Sequence, residues 1–312
     1  MIIDNKVTDI KTVKSCNELT AVEEHKGILY KRDDLFMPFD DIMINGGKVR
    51  QAISLIANNI NHIKKECNST ISTASSVESP QGIIIGRVAK EFGLKSILAV
   101  GGGTDAEKLI NKHPLLKASQ YIGTEIRAVN KLGYNSVLYS KLKEMQKTEP
   151  MFIALFGINA DRNFESILGT TIQQVNNLPL NLINRVIVPV GSALMFSAII
   201  MGLKDRGWLD KKDNKVIGIQ IAGVDRKKTI DGLLSKRYFM QNVPYELILD
   251  KTYKYSTYVK SNIVDTDIEL DCIYEAKAHE YALKNNLLKE GGLFWVVGNS
   301  NLVRKQFGKE IK

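Results

Sequence analysis

The sequence has few of the residues that build disulfide frameworks or metal centres. Its 312 residues include 3 cysteines, which lie far apart at Cys16, Cys67 and Cys272 and form no Cys-x-x-Cys pair. The 4 histidines show no mutual spacing that is typical of metal ligands. This scarcity argues against a disulfide framework and against a structural zinc site, so we expect no metal.

Long apolar segments are missing as well. The longest strongly apolar stretch, residues 193–203, is far shorter than the roughly 20 residues that a helix needs to span a bilayer. Residues 1–5 lack the apolar core of a secretion signal. We therefore expect a soluble, intracellular protein of the cytoplasm with no membrane partner.

The chain also lacks any block of five or more like charges, although it is basic overall. Lys and Arg total 43 against 34 Asp and Glu, which gives a formal net charge of +9. A basic balance favours anionic partners such as phosphate cofactors, carboxylate substrates or nucleic acid. Because the charges are spread along the chain, a solvated basic surface explains them better than a nucleic-acid groove.

What is present is an alternation of strand-like and helix-like segments in an ordinary globular composition, 44% hydrophobic and 25% charged. Apolar runs predict strands at 69–74, 96–100, 125–129, 151–156, 185–190, 216–221 and around 294–297. Helical patterns predict helices at 48–59, 82–92, 105–119, 136–147, 163–176 and 197–206, with a break near Pro114. Alternation of this kind builds parallel sheets with helices on both faces.

We therefore expect an α/β protein, and its length allows two domains. Residues 51–150 form the predicted small domain. Residues 1–50 together with 151–312 form a predicted large domain that is discontinuous in sequence. We find no tandem repeat and no low-complexity linker.

A lysine follows paired glycines in Gly46-Gly47-Lys48, downstream of a polar block at residues 30–35. Glycine lets the backbone pass close to a bulky group. The predicted helix that starts here offers free N–H groups and the positive end of its dipole. The ammonium form of a lysine is disfavoured in such a setting, which helps the amine act as a nucleophile. The alternative is an exposed lysine after a loop.

Two glycine-containing turns join a predicted strand to a predicted helix. Val190-Gly191-Ser192 follows an apolar strand, an arrangement that is typical of phosphate binding but also of a plain turn. The three glycines at residues 101–103 do not match the G-x-G-x-x-G spacing of dinucleotide-binding folds. We interpret them as a flexible turn or a substrate-facing loop.

Two polar segments are further candidates. Residues 75–82 join a strand to a helix, and their hydroxyl and N–H groups suit a carboxylate. Capping by Ser79 ahead of Pro80 is the alternative, although it leaves most of this polar loop unexplained. Tyr274 and Glu275 place a phenol beside a carboxyl group. The phenol could serve as an acid or base, and the carboxyl group could hold a proton on a heterocyclic nitrogen. An exposed acidic helix start is the alternative there.

Taken together and in this order, residues 28–299 resemble the tryptophan-synthase-β superfamily of pyridoxal-phosphate (PLP) enzymes, fold type II. Within it they are similar to the 1-aminocyclopropane-1-carboxylate (ACC) deaminase and D-cysteine desulfhydrase family. The block Lys31-Arg32-Asp33-Asp34-Leu35, with the glycine-rich approach to Lys48 and Arg50, carries most of this resemblance. It implies two open, twisted, largely parallel sheet domains, with pyridoxal 5′-phosphate in the cleft between them, and a homodimer.

The resemblance also implies a site. Lys48 would carry the cofactor as an internal aldimine, and Glu275 would keep the pyridine nitrogen protonated, which makes the ring a stronger electron sink. The implied residues are the catalytic Lys48, Tyr274 and Ser79; the cofactor-binding Lys48, Gly191, Ser192, Ala193, Leu194 and Glu275; and the substrate-binding Ser76, Ser79 and Gln81.

Three segments depart from the family pattern. Pro80 stands where the family has an asparagine that reaches the cofactor. Leu194 and Met195 stand where it has a small residue and a threonine. In the last of them, Val296-Val297-Gly298-Asn299 stands where the family has a polar pair and two glycines. We expect cofactor binding to survive because Lys48 and the Gly191 turn remain, but the family's substrate cannot be carried over.

The first hypothesis is therefore a PLP-dependent lyase or deaminase that acts at the α-carbon of a small amino acid or amino-acid-like group. Deamination, β-elimination and decarboxylation all stay open. A second hypothesis is a divergent PLP enzyme that acts on an aminoacyl-modified base in viral DNA, for example as a decarboxylase. It is drawn from the charge of +9 and the Lys-, Asn- and Ile-rich composition. A third, drawn from the altered positions, is a non-catalytic descendant that binds a small anion.

Overall fold

The computed structural model describes residues 11–101, 106–129, 134–159, 164–221, 223–239 and 242–308. The strands of this part are, in chain order, β1 Val22–His25, β2 Ile28–Arg32, β3 Thr70–Ser75, β4 Lys95–Gly101, β5 Glu125–Val129, β6 Phe152–Ala154, β7 Arg185–Val190, β8 Lys215–Ile221, β9 Glu246–Asp250 and β10 Gly292–Val296. The α-helices are α1 Lys11–Ser15, α2 Gly47–Glu66, α3 Gln81–Glu91, α4 Ala106–Lys112, α5 Pro114–Tyr121, α6 Asn135–Gln146, α7 Phe164–Ile172, α8 Leu194–Asp205, α9 Lys227–Tyr238, α10 Glu275–Lys284 and α11 Asn301–Gln306.

The larger sheet has six strands in the order β1-β2-β10-β7-β8-β9, and among these pairs only β1–β2 is antiparallel. Strand β7 is a continuous apolar run because both of its faces are covered. Val186 and Val188 pack in the core that contains α8, whereas Ile187 packs in the core that contains α10. Continuous burial of this kind is typical of parallel strands between two helical layers.

The smaller sheet has four parallel strands in the order β5-β4-β3-β6. Its two faces are also both covered. Ala74 and Ala99 pack with α6, whereas Leu98 and Val100 pack with Leu116 of α5. The loop at residues 76–80 therefore follows the carboxyl end of a buried strand in a sheet that is packed on both faces.

The predicted α/β class with largely parallel sheets is confirmed. The break predicted near Pro114 in the helix at 105–119 is confirmed, because Pro114 begins α5 after the chain bends at His113. Helix α8 begins at Leu194, three residues before the predicted start, because Ala193 adopts a left-handed conformation that turns the chain directly into the helix. Residues 105 and 163, the predicted starts of two helices, lie outside the described residues, as do Gly102 and Gly103.

The division into a small and a large domain stays a prediction. Strand β6, which begins two residues beyond the predicted boundary at 150, belongs to the smaller sheet. Across the described ranges, no helix is long and apolar enough to cross a membrane. Those ranges also contain no group of three or more His, Cys, Asp or Glu side chains placed to hold a metal ion.

Candidate active site

A cavity lies where the carboxyl ends of β7 and β10 face the start of α3, and so it lies between elements of the two sheets. It brings together five separate stretches of the chain. Its walls are formed by Ile44, Asn45, Lys48, Pro80, Ile84, Pro189, Val190, Gly191, Ser192, Ala193, Met195, Phe196, Asp271, Tyr274, Glu275, Val297, Gly298, Asn299, Ser300 and Val303. Ligands of open α/β sheets bind at this end of the strands.

Lys48 enters the cavity from the first turn of α2, and two glycines make this approach possible. Gly46 has φ +89°, and a Cβ placed there would lie 2.3 Å from the carbonyl oxygen of Val297. The Gly47 N–H donates to that same carbonyl at 2.9 Å. The helix start is therefore fixed against the loop after β10, and only glycine fits at position 46 without strain.

The amine of Lys48 lies in an environment that favours its neutral form. Burial lowers the pKa of Lys48, and the nearby carboxyl groups of Glu275 and Asp271 oppose this effect only in part. Its Nζ lies 5.5 Å from the ring centroid of Tyr274. A lysine with a lowered pKa is a better nucleophile and a better proton acceptor at neutral pH.

The turn between β7 and α8 forms a cradle of backbone N–H groups. Ala193 has φ +77°, and a Cβ on Gly191 would lie 2.9 Å from Cε1 of Tyr274. The Ser197 N–H donates to the Ala193 carbonyl at 2.9 Å, so the N–H groups before it have no partner within the helix. Free N–H groups at the positive end of a twelve-residue helix suit an anion such as a phosphate.

The side chain of Leu194 does not line this cradle. It packs in the core that contains α8, so only its backbone N–H can contribute to anion binding. Met195 does line the cavity, and its sulfur accepts a hydrogen bond from Nε2 of Gln51 at 3.1 Å. The thioether thus fills the space beside Gly47, where a Cβ would lie 2.1 Å from the Met195 methyl group.

Glu275, at the start of α10, is a buried carboxyl group beside a second one, Asp271. Asp271 accepts the N–H groups of Ile273 at 2.9 Å and Tyr274 at 3.1 Å, and the N–H of Ser300 at 2.8 Å. These bonds fix the Asp271 side chain at the entry to α10. Burial, reinforced by the Asp271 charge, raises the pKa of Glu275 well above its usual value. The environment of Glu275 therefore disfavours its charged form.

Sequence reasoning missed Asp271. Its position four residues before Glu275, at the entry to α10, is the only sequence signal that could have suggested it. Tyr255 was also missed, because it comes from the irregular segment before α10. Its hydroxyl lies 2.9 Å from the hydroxyl of Tyr274 and is also hydrogen bonded to Ser76. Burial and the neighbouring Tyr255 raise the pKa of Tyr274 well above its usual value, so its phenol is protonated.

The predicted substrate loop reaches the cavity through Pro80. The Ser79 hydroxyl accepts the Gln81 N–H at 3.3 Å, which is the local capping contact that was the alternative interpretation. The Gln81 side chain is buried away from the cavity. Its amide nitrogen donates to Thr73 Oγ1 at 2.8 Å and to Tyr139 at 3.0 Å, and its oxygen accepts the Gly157 N–H at 2.9 Å.

The block at residues 31–35 supports the site from behind. The Asp33 carboxylate accepts the indole N–H of Trp295 at 3.0 Å and the hydroxyl of Thr20 at 2.9 Å. Lys31 is fully buried and donates to the Thr20 carbonyl at 2.8 Å. This block therefore anchors β2 to β10, from whose end the cavity-lining residues Val297 to Ser300 follow.

The structure thus brings Lys48, Gly191, Ser192, Tyr274 and Glu275 together around one cavity. Ala193 lines it too. Ser76 and Ser79 lie on the adjacent loop, and Gln81 points into the smaller sheet. The functional roles of these residues stay predictions.

Residues 11–233 match the model of the family described as pyridoxal-phosphate dependent enzyme. A search of curated proteins by sequence gives no match.

Among solved structures, an ACC deaminase homologue superposes with a TM-score of 0.71 at 18% identity, covering 95% of both chains. The O-acetylserine dependent cystathionine β-synthase of Helicobacter pylori gives 0.65 at 17% identity, covering 97% of this chain and 98% of that one. Threonine deaminase isoform 2 of Solanum lycopersicum gives 0.58 at 12% identity, covering 94% and 88%. At such identities the likeness is one of fold. The family match spans most of the sequence, and the chain therefore belongs to the pyridoxal-phosphate dependent enzymes, with pyridoxal 5′-phosphate as its cofactor.

Proposed function

We propose that this protein is a lyase or deaminase that acts at the α-carbon of an amino acid or amino-acid-like substrate, with Lys48 as the residue that binds the cofactor covalently. The observation that carries the proposal is the convergence of three groups on one cavity. These are the amine of Lys48, the N–H cradle at Gly191 and the buried carboxyl group of Glu275.

The residues present fit the cofactor. The N–H groups before Ser197 have no partner inside α8, and they supply what a phosphate group needs. The replacement of a threonine by Met195 removes one side-chain donor but leaves these backbone donors in place. Glu275 would face the ring nitrogen, and the neutral amine of Lys48 would bond the aldehyde carbon.

When bound, the cofactor supplies an electron-accepting ring that stabilises negative charge at the α-carbon of the substrate. In its carboxylate form, Glu275 would accept a hydrogen bond from the ring nitrogen and favour a proton there. Burial, and then the neighbouring Asp271, raise the pKa of Glu275 itself. Lys48 would accept or return a proton at its Nζ. Tyr274, whose phenol is protonated, is placed to donate a proton rather than to remove one.

The other hypotheses have no such support. Nothing in the described residues favours a DNA base as substrate over a free amino acid, and the homodimer also stays a prediction. A non-catalytic descendant has no need to bury Lys48 beside Glu275 and Asp271, since unpaired buried ionisable groups are unfavourable to folding.

The first test is the visible absorbance of the purified protein with added PLP, followed by borohydride reduction and peptide mass spectrometry. We expect a reducible covalent adduct on Lys48 that is absent in Lys48→Ala. The matched control is Lys64→Ala, which removes an exposed lysine from the same helix. A reducible adduct that persists in Lys48→Ala would contradict the assignment of Lys48.

The second test addresses the reaction. The holoenzyme is incubated with a panel of D- and L-amino acids and with ACC, and released ammonia and 2-oxo acids are measured. Deamination or β-elimination predicts both products in stoichiometric amounts. Release of CO₂ without ammonia would assign decarboxylation instead.

A further inference from the structure

Capping by Ser79 does not explain Glu78, the one acidic residue of the loop between β3 and α3. Its side chain crosses to elements of the larger sheet. Its Oε2 accepts the hydroxyl of Tyr258 at 2.7 Å and Nη1 of Arg304 at 2.9 Å. Nη2 of Arg304 donates to the Glu78 backbone carbonyl at 2.9 Å. One arginine thus holds both the carboxylate and the carbonyl of the same loop residue.

The buried guanidinium group of Arg304 is balanced by its ion pair with Glu78. Its side chain, on α11, is 0% exposed, and Glu78 is the only carboxylate within ion-pair distance of it in the part of the chain that the structure describes. Nη1 of Arg304 also donates to the Tyr258 hydroxyl at 2.8 Å, and Nε2 of His113 lies 3.3 Å from Oε2 of Glu78. A buried arginine without its carboxylate is strongly unfavourable, so Arg304 favours the arrangement in which Glu78 covers it.

The same arginine is linked to the wall of the cavity. Nε of Arg304 donates to the Ser300 hydroxyl at 3.3 Å, and the Ser300 N–H donates to Asp271 at 2.8 Å. Asp271 in turn accepts the Tyr274 N–H. A continuous set of hydrogen bonds therefore joins Glu78, outside the cavity, to the segment that carries Tyr274 and Glu275.

We propose that Glu78 is a positioning residue whose bonds to Arg304 and Tyr258 hold the loop 76–80 closed against the cavity. In this position Pro80 forms part of the wall, and Ser76 and Ser79 lie on the same loop beside it. This inference deepens the proposed function and rests on it for what the loop binds. The cradle at Gly191 lies on the larger sheet, so loosening the loop is expected to impair amino-acid binding while leaving cofactor binding intact.

The test uses Glu78→Gln, which keeps the shape of the side chain and removes its charge. The matched control is Glu149→Gln, which breaks the ion pair of Glu149 with Arg127 beside the smaller sheet but bridges nothing across the cavity. Hydrogen exchange of peptides covering residues 75–80 is measured by mass spectrometry. We expect exchange to rise by about tenfold or more in Glu78→Gln and to stay at the wild-type rate in Glu149→Gln. Unchanged exchange in Glu78→Gln would overturn the proposal.

The exchange measurement needs no cofactor, so its outcome is independent of whether the proposed function is correct. On the holoenzyme, we expect Glu78→Gln to keep the dissociation constant of PLP within about threefold of wild type. The dissociation constant of each amino acid that shifts the wild-type absorbance should rise by about tenfold or more. An equal loss of PLP binding would make Glu78 a general structural residue and would also overturn the proposal. If Glu78→Gln folds poorly, Tyr258→Phe removes two bonds of the same set, the one donated to Glu78 and the one accepted from Arg304. This variant is expected to raise loop exchange in the same direction.

Discussion

Replacement of Gly46 by alanine tests whether the close approach of α2 to the loop after β10 places Lys48. Gly46 has φ +89° and ψ −176°, a combination that residues other than glycine rarely adopt. The added Cβ would lie 2.3 Å from the Val297 carbonyl oxygen and 2.6 Å from Cα of Gly298. Both atoms belong to backbone, so no side-chain rotation can relieve the contact.

The two penalties can be separated. Forcing a non-glycine residue into this region costs about 1–3 kcal/mol, and overpacking against fixed neighbours costs about a further 1–3 kcal/mol. Gly46→Ala should therefore lower the free energy of unfolding by about 2–6 kcal/mol, a large fraction of the 5–15 kcal/mol that is typical of globular proteins.

Gly93→Ala is the matched control. Gly93 has φ +68°, and an added Cβ would meet nothing within 4 Å, so this variant carries the conformational penalty without the contact. Urea unfolding followed by tryptophan fluorescence, which reports on the buried Trp295, gives both free energies. We expect Gly46→Ala to be the less stable by about 1–3 kcal/mol and to lose the Lys48 adduct in the folded protein.

Two outcomes would refute this reasoning. Equal loss of stability in the two variants would mean that the loop after β10 yields to the added methyl group. Full retention of the covalent adduct in Gly46→Ala would mean that the glycine does not determine where the lysine lies.

Three further predictions concern the stability of the folded protein. Burial lowers the pKa of His279 to about 4, so between pH 6.5 and 4 the unfolded chain binds more protons than the folded protein does. The free energy of unfolding should therefore fall with falling pH by up to about 1.4 kcal/mol per pH unit in this range. Urea unfolding between these pH values should show this slope in wild type and in His62→Gln but not in His279→Gln; an unchanged slope in His279→Gln would assign it to other groups. Gln81→Ala should cost about 1–3 kcal/mol because it leaves buried partners such as the Gly157 N–H unsatisfied, yet it should keep the Lys48 adduct. Exposed Gln120→Ala is its control, and loss of amino-acid binding without loss of stability would return Gln81 to the substrate site. Asp271→Asn turns one acceptor oxygen into a donor that faces N–H groups, so thermal and urea unfolding should show that the free energy of unfolding falls by about 2–4 kcal/mol. The control Asp267→Asn, at an exposed position, should not show this loss. Equal stability of the two variants would contradict the hydrogen bonds assigned to Asp271.

Local patterns in the sequence were sufficient for most elements. Strands β5 and β7 begin and end at the predicted residues, because apolar runs bounded by turn residues reflect constraints that act over a few positions. Boundaries failed where an isolated backbone conformation decides them. The start of α8 depends on the left-handed Ala193, and β6 ends at Ala154, where a turn that includes Gly157 with φ +81° follows.

The site was predictable to the extent that its groups lie in short motifs. Lys48 after two glycines, Gly191 after a buried strand, and Tyr274 beside Glu275 are each visible in a few consecutive residues, and all four line the same cavity. Gln81 was predicted to bind the substrate because it lies in a polar loop. Its direction was decided by the first turn of α3, which points the amide back into the smaller sheet.

The sequence by itself determined the α/β class, the motifs around the lysine and the turn, and the family to which they belong, because these depend on short-range periodicity and composition. Only the tertiary structure decided which distant groups meet. Glu78 and Arg304 are separated by 226 residues, yet they share hydrogen bonds beside the cavity. Asp271 raises the pKa of Glu275 only because both are buried at the same helix start. Such effects depend on distance and on exclusion of water, which arise only when the sheets bring remote segments together.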